Sequence, residues 1–304
     1  MPVAPRRPGQ GRQFRKKSPN SHRAVTLAAG DAGKLVPRQG VPMKRWVGLV
    51  LGLLLGLRAE ADPAGQRVLQ CVRQNLPQSG TVREIEMVAV DRSGAARTMQ
   101  GRVYARAEDQ AGRPSPLDLV VRFDAPRDLS GTAYLVRQAA DGGDDQMYLF
   151  LPSLQRVRRI SAGSARASLP GGSFGYADFQ QLRSAFGSSD ATLEGSRDLG
   201  GREAQLLSIG TAGTASPYSR VRSWIDRQTC VPLQAEFYVG TVVKKRFQAA
   251  ADALRRSGRY WYLAESRMQD LGDGSTTTLR IGKLVSGAGI PGSYFQPGSF
   301  FLAN

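Results

Sequence analysis

The closest approach in this sequence to an acid–base pair is two sets of neighbouring carboxylates. Glu84 and Glu86 stand two residues apart, and Asp144 and Asp145 are adjacent. Two converging carboxylates can serve as general acid and general base. The first pair, however, alternates with apolar residues in a run typical of a strand, and the second follows two glycines in a turn. We therefore expect a solvated strand face and a turn at these positions.

Other catalytic arrangements are missing from the sequence. The single histidine, His22, lies in the N-terminal 42 residues, and the rest of the chain has no G-x-S-x-G elbow, phosphate-binding loop or metal-ligand spacing. We expect a protein that is not an enzyme, binds no metal and needs no cofactor. An unrecognised hydrolase remains an alternative.

Basic side chains form a second group of candidates. Residues 147–151 are apolar and end at Pro152, and residues 155–161 then alternate Val157 with Arg156 and Arg158. Together with Arg159, these arginines are either a solvated strand face or a docking surface for an acidic partner or lipid head groups, which arginine binds through bidentate contacts.

Aromatic side chains follow at helical spacing. A Gly-, Ser- and Ala-rich stretch covers residues 162–173, and Tyr176, Phe179, Leu182 and Phe186 then recur every three to four residues. This spacing places four apolar groups on one face of a helix. The face could belong to the core, but the preceding flexible stretch favours a lid that closes an apolar cavity.

These segments also carry a family resemblance. YLFLPSLQRVRRI at residues 148–160 and GSFGYADFQQL at residues 172–182 resemble the signature of the outer membrane lipoprotein-sorting, or LolA-like, family. The resemblance continues at residues 218–226, 230–238 and 260–265, so it spans most of the chain after residue 61. It implies an incomplete antiparallel β-barrel, capped by helices, that encloses an apolar cavity for the acyl chains of a lipoprotein or another lipid.

The N-terminal 61 residues have a composition of their own. Met43 to Trp46 is basic, residues 47–57 are apolar, and Ala59 to Ala61 has the small-x-small pattern of a cleavage site. The apolar run is shorter than the roughly 20 residues that span a bilayer. We expect a cleavable signal peptide at residues 43–61, with a membrane anchor as the alternative, and a mature periplasmic protein that begins at Asp62.

Residues 1–42 contain nine Lys or Arg residues, one acidic residue and no apolar periodicity. They are either a basic disordered extension, able to bind nucleic acid or anionic lipid, or a sequence ahead of a true start at Met43. Residues 62–304 hold 30 basic and 23 acidic residues, a charge near +7 instead of the +17 of the whole chain. We therefore expect no nucleic acid partner.

The remaining chain predicts a mainly β (α+β) fold in one domain, residues 62–304. Asp62 and Pro63 are typical of a helix start, and Pro77 ends that helix. About eleven or twelve strands joined by short turns predict a curved antiparallel sheet. These strands are expected at residues 82–89, 99–106, 117–123, 132–137, 147–151, 155–161, 204–209, 220–226, 233–239, 242–247, 260–268 and 276–284. Phe295, Phe300 and Phe301 in the tail are expected to cover one edge of the sheet.

The two cysteines, Cys71 and Cys230, both follow the apolar segment. Cys71 lies on the inward face of the first helix, and Cys230 in a turn that this helix could cover. Because an exported protein can form disulfides, we expect these residues to be bonded to each other.

The sequence favours a monomeric periplasmic carrier that passes its lipid from an inner-membrane exporter to an outer-membrane acceptor. The alternative is a lipid-binding accessory subunit of an exporter that does not release its cargo.

Overall fold

The computed structural model describes residues 62–77, 79–107, 116–139, 145–160, 172–184, 190–211 and 216–303. The expected signal peptide, the basic extension, Asp144 and Phe186 lie outside these ranges. Two α-helices are present in the described chain: α1 (Pro63–Gln74) and α2 (Tyr176–Ser184). Short 3₁₀ helices occur at Pro152–Leu154, Ala251–Ala253, Gly292–Phe295 and Phe300–Leu302.

The strands carry most of the described chain. They are, in chain order, β1 (Thr81–Val90), β2 (Ala96–Ala107), β3 (Leu117–Ala125), β4 (Ala133–Arg137), β5 (Gln146–Leu151), β6 (Arg156–Ile160), β7 (Ala191–Asp198), β8 (Glu203–Gly210), β9 (Arg220–Asp226), β10 (Pro232–Val239), β11 (Val242–Gln248), β12 (Leu254–Ser257), β13 (Tyr260–Leu263), β14 (Glu265–Asp270) and β15 (Thr276–Ser286).

Thirteen of these strands form one antiparallel sheet in the order β6-β5-β4-β3-β2-β1-β15-β14-β11-β10-β9-β8-β7, and β12 pairs with β13 separately. Two meanders are joined where β1 pairs with β15. The edge strands β6 and β7 do not pair with each other, so the sheet remains open. The predicted mainly β fold with an incomplete antiparallel barrel is confirmed.

Two strands of the structure, β7 and β12, are absent from the sequence prediction, and one predicted strand is divided. β7 has a single buried residue, Ala191, so it shows almost no apolar alternation. The predicted strand at 260–268 breaks at Ala264, whose N–H donates to Ala253 O at 2.8 Å, so β13 leaves the main sheet to pair with β12.

Both helices pack against the same face of the sheet, which we call the inner face. Its core contains side chains that alternate along each strand as expected: Ile85, Met87, Met99, Val121, Phe123, Phe237, Phe247 and Met268. Phe179 and Leu182 of α2 pack on this cluster. Val68, Leu69 and Val72 of α1 pack farther along the face, with Leu207 and Ile209 of β8.

The start of α1 is fixed by Asp62. Its carboxylate accepts hydrogen bonds from Ala64 N at 2.9 Å and Gly65 N at 3.1 Å, which makes it the predicted N-cap. It also accepts one from Leu193 N of β7 at 2.8 Å. These backbone donors, led by Leu193, hold the pKa of Asp62 below its usual value. One side chain therefore both starts the helix and ties it to the sheet.

Gly65 brings α1 into contact with β7. A Cβ built on Gly65 would stand 2.2 Å from the carbonyl oxygen of Ala191, closer than any real contact. Although alanine favours helix, Gly65→Ala is expected to lower the free energy of unfolding by about 1–3 kcal/mol, because the helix must shift away from the sheet. Urea denaturation measures the loss. Gln70→Ala, at an exposed position of α1, is the matched control, and an equal midpoint for the two variants would contradict the close approach.

The C-terminal tail covers a face of the sheet. Phe295 and Phe300 are fully buried against Val120 and Leu135 on the outer face, the side opposite the helices. Phe301 stacks on Phe150 of β5 with ring centroids 4.1 Å apart. The expectation that these phenylalanines cover a sheet edge is therefore wrong. Val120, Ala133 and Leu135, on the outer face of β3 and β4, are apolar too, and they need a cover of their own.

Candidate functional site

The described residues 172–184 form the central feature of the inner face. The N–H of Ser173 donates to Thr277 Oγ1 of β15 at 2.7 Å, and Ser173 Oγ is 2.8 Å from Ser275 Oγ. Gly175 N donates to Asp178 Oδ2 at 2.7 Å, so Asp178 satisfies a backbone donor at the start of α2. The entry into α2 is thus bonded to the sheet at several points.

Three of the four predicted lid residues lie in α2 and contact the inner face. Phe179 stacks on the fully buried Phe174 with ring centroids 5.0 Å apart. Tyr176 packs with Val136 and Met147, and its hydroxyl donates to Asp145 Oδ2 at 2.8 Å. Leu182 packs on the main core cluster, and Phe186 lies outside the described residues.

A cavity of about 160 Å³ lies between α2 and the inner face of the first meander. Its walls are mainly aliphatic, and the polar side chains among the described residues that line it are Arg83, Tyr134, Gln138 and Tyr176. The apolar lining consists of Leu76, Ile85, Met87, Val103, Leu117, Leu119, Val121, Val136, Met147, Phe179, Leu279 and Ile281. We call this space the α2 cavity. An apolar chain is the ligand that such a lining suits.

A buried polar cluster fixes α2 from the other meander, and it is missing from the sequence prediction. Asp178, with no exposed surface, accepts hydrogen bonds from the Tyr218 hydroxyl and from Lys245 Nζ at 2.9 Å. Lys245 Nζ also donates to Ser173 O at 2.7 Å and lies 3.7 Å from Asp270 Oδ2. The available signal was Lys245 itself, a charged residue two positions before Phe247 on the inner face of β11.

Tyr218 acts as a donor in this cluster. Burial, reinforced by the negative charge of Asp178, raises the pKa of the Tyr218 phenol well above its usual value. The phenol therefore stays protonated at neutral pH and donates to Asp178. Because every polar atom of the Asp178 carboxylate has a donor, the cluster holds α2 in place and offers no free nucleophile or base.

Arg83 has a different environment. It lies on the inner face of β1, pairs in register with Val103 of β2, and lines the α2 cavity. Among the described residues it has no hydrogen-bond or ion-pair partner, whereas Arg102, Arg106 and Arg202 each bind an aspartate. Burial lowers the pKa of the Arg83 guanidinium, but arginine keeps its charge at neutral pH.

The three basic candidates lie on the edge strand β6 and are exposed. Arg158 pairs with Leu149 and Arg159 with Tyr148, so their side chains project from opposite faces of the sheet. Arg156 shares the face of Arg158, while Arg159 shares the face of Val157, which packs with the outer cluster. The structure brings two of the three arginines onto one face; the third is separated because adjacent strand residues alternate.

Cys71 and Cys230 form a disulfide, as expected, with their Cα atoms 5.6 Å apart. The bond attaches α1 to the turn between β9 and β10. That turn is held by Asp226, which accepts hydrogen bonds from Thr229 N at 2.7 Å and from both Nε and Nη2 of Arg202. Disulfides persist in oxidising compartments, so this bond indicates an extracytoplasmic protein.

The carboxylates considered for catalysis have other contacts. Glu86 accepts a hydrogen bond from Arg280 at 3.0 Å on a solvated strand face, and Asp145 accepts from Ala139 N at 3.0 Å and from Tyr176. No group of three His, Cys, Asp or Glu side chains suited to a metal ion occurs in the part of the chain that the structure describes. Within that same part, neither helix has the length and hydropathy needed to cross a membrane.

Comparisons with solved structures identify the fold. A putative outer membrane lipoprotein-sorting protein domain from Vibrio parahaemolyticus matches with a TM-score of 0.67 and 22% identity, over 78% of this chain and 98% of that one. A DUF1329 family protein from Desulfovibrio piger matches with a TM-score of 0.71 and 25% identity, over 77% and 98%. A LolA superfamily protein from Nitrosomonas europaea matches with a TM-score of 0.59 and 16% identity, over 76% and 97%.

Sequence comparisons add a family assignment. A search of curated proteins returned no match. A family model described as an uncharacterized protein matches residues 118–300, which is more than half of the chain and includes α2, the cluster at Asp178 and Cys230. The chain therefore belongs to this family of uncharacterized proteins, and its fold is that of the LolA-like, outer membrane lipoprotein-sorting proteins.

Proposed function

We propose that this protein is a periplasmic carrier that shields the acyl chains of a lipoprotein, or another lipid, in the α2 cavity and transfers them toward the outer membrane. The observation that carries the proposal is the apolar cavity on the inner face, roofed by the aromatic side of α2. The similarity to a lipoprotein-sorting domain supports it. The proposal takes the mature protein, residues 62–304, as one exported domain that begins at Asp62.

The small size of the cavity supports a movement of α2 when lipid binds. Ligand pockets usually hold about 300–1,000 Å³, and the α2 cavity holds about 160 Å³. An acyl chain of about 16 carbons gains on the order of 12 kcal/mol when it is buried, at roughly 0.8 kcal/mol per methylene. In the empty protein, α2 packs Phe179 against Phe174, and lipid binding must disrupt this packing. The net free energy of lipid binding is therefore smaller, so that cargo can be released to a partner.

The attachments of the two helices differ in kind, and this difference supports α2 as the moving part. The disulfide at Cys71 bonds α1 covalently to the second meander. Noncovalent contacts alone hold α2 among the described residues: the Phe174 stack, the Tyr176 hydrogen bond and the cluster at Asp178. A lid must move away from the sheet without breaking a covalent bond. We therefore assign α2 as the lid and α1 as the fixed cap.

Transfer also requires partners at both membranes. We propose that an inner-membrane exporter loads the carrier, that an outer-membrane acceptor unloads it, and that the carrier acts as a monomer. The exposed edge strand β6 offers a docking surface in which Arg156 and Arg158 project from one face and Arg159 from the other. Arginine pairs well with the carboxylates of an acidic partner surface.

Substitution of Phe179 tests the lid. Phe179→Glu places a charge where α2 meets the sheet, so we expect the empty closed form to lose stability and a fluorescent acyl probe to dissociate more slowly than from wild type. Phe179→Ala should show the same effect more weakly. Arg158→Glu is the control because its side chain is exposed, and it should bind and release the probe normally. Wild-type binding and release by Phe179→Glu would show that the aromatic face is ordinary core.

An exchange assay separates the carrier from a fixed accessory subunit. Donor vesicles containing a fluorescent acyl lipid are mixed with acceptor vesicles, with and without the protein. Faster transfer through solution supports the carrier. Saturable binding of the lipid with no gain in transfer would instead identify a lipid-binding accessory subunit of an exporter.

A further inference from the structure

Among the described residues that line the α2 cavity, Arg83 is the one formally charged side chain. Asp, Glu and Lys are absent from this described lining, and its other polar side chains are Tyr134, Gln138 and Tyr176. Purely aliphatic cargo gains nothing from a cation in the wall, and the half-buried Arg83 guanidinium has no partner among the described residues to offset its partial desolvation. A cation at this position therefore indicates a ligand with an anionic group.

A β-bulge in β15 lies beside Arg83. Arg83 and Ile85, two residues apart on β1, pair with Leu284 and Ile281, three residues apart on β15, while β1 keeps an unbroken register with β2. Arg83 lies in one row across the sheet with Val103, Val121 and Tyr134, each paired in register with the next. The cation and the Tyr134 phenol are therefore separated by two aliphatic side chains along one wall.

Two of the remaining polar side chains of the wall, Tyr134 and Gln138, can donate hydrogen bonds to a ligand, whereas the Tyr176 hydroxyl already donates to Asp145. Burial raises the pKa of Tyr134 to about 12, so its hydroxyl keeps its proton at neutral pH. Gln138 Oε1 accepts a hydrogen bond from Leu117 N at 2.9 Å, which leaves the side-chain NH₂ as its donor group. In the described lining, two donors and one cation, without a carboxylate, are complementary to an oxyanion.

We propose that Arg83 binds the oxyanion head group, carboxylate or phosphate, of a single-chain or double-chain amphiphile whose acyl part fills the α2 cavity. This inference rests on the proposed lipid-binding function and specifies its ligand class. The planar guanidinium forms two parallel hydrogen bonds with either oxyanion, and the aliphatic wall beside it accepts the first methylenes of the chain.

Matched pairs of ligands test the head group. Palmitate is compared with methyl palmitate, and 1-palmitoyl lysophosphatidate with 1-palmitoylglycerol, by displacement of a fluorescent acyl probe below the micellar concentration. Wild type is expected to bind at least one anionic member about 10- to 100-fold more tightly than its neutral partner, the range for a charge-assisted hydrogen bond. The pair with the larger ratio identifies the head group as carboxylate or phosphate.

Two substitutions of Arg83 and one control substitution assign the preference for an anionic head group to this residue. Arg83→Met keeps an unbranched apolar stem and removes the charge, and it should abolish the preference while the neutral ligands bind as before. Arg267→Met is the matched control, because Arg267 lies on β14, is exposed and does not line the α2 cavity. It should keep the full preference. Arg83→Lys, which keeps the charge without the planar fork, should retain part of it.

The folding of Arg83→Met is checked independently. Because Arg83 is half-buried and has no partner among the described residues, Arg83→Met should not lower the unfolding temperature of the empty protein. Equal affinities of wild type for charged and neutral partners, or an undiminished preference in Arg83→Met, would overturn the inference and leave the carrier intact. If none of the four ligands binds, the carrier proposal is wrong and the inference falls with it.

Discussion

Replacing Cys71 and Cys230 with alanine is expected to lower the free energy of unfolding by about 5 kcal/mol. The disulfide closes a loop of 159 residues, and the chain-entropy model gives this value for a loop of that length. Typical domains are stable by only about 5–15 kcal/mol, so the variant should be partly unfolded at 37 °C. Urea denaturation followed by tryptophan fluorescence measures the change.

Two controls separate the cross-link from the side chains. Wild type in the presence of a reductant should match the double variant, and Cys71→Ala alone should match Cys230→Ala alone, because either single substitution opens the same loop. A loss below about 1 kcal/mol in the double variant would show that the bond does not restrict the unfolded chain to the extent expected.

Removing the Lys245 ammonium group is expected to have a similarly large effect. Lys245→Met leaves the buried Asp178 carboxylate without its cationic partner and removes the donor to Ser173 O. Breaking a buried ion pair on one side typically lowers the free energy of unfolding by about 3–5 kcal/mol. The start of α2 should loosen at the same time, which amide hydrogen exchange at residues 176–182 would detect.

The neighbouring Lys244 gives the matched control, since it is exposed on the opposite face of the same strand. Lys244→Met should change stability by no more than a few tenths of a kcal/mol. The double variant Asp178→Asn with Lys245→Met should lose less than the sum of its single variants, because neither charge is then left alone. Additive losses would show that the two side chains act independently.

Local signals in the sequence were sufficient to predict most of the helices and strands. Asp62 and Pro63 indicated the start of α1 because capping is decided within a few residues. The alternation of Ile85, Met87 and Ala89 indicated which face of β1 is buried. Alternation does not say which strand lies alongside, however, so the pairing of β1 with β15 could not be predicted from the sequence.

The residues of the candidate site likewise fall into those that local sequence signals reveal and those that only the fold brings together. Tyr176 and Phe179 were found because aromatic residues at helical spacing are visible in the sequence. Asp178 and Lys245 were missed because 67 residues separate them, and each alone is ordinary in a helix or strand. Arg83 is likewise unremarkable in the sequence, and only the fold shows that it faces an apolar cavity.

The junction between β1 and β15 also determines how the chain folds. Thr81 pairs with Ser286, so the central ladder of the sheet joins residues about 200 positions apart, which gives the fold a high contact order and slow folding. Until residues 276–286 arrive, the first meander ends in an open strand β1 and the second in an open β14. Both are free to pair with other chains. The last strand of the sheet thus completes the wall of the cavity and closes the two edges at which a nascent chain is most prone to aggregate.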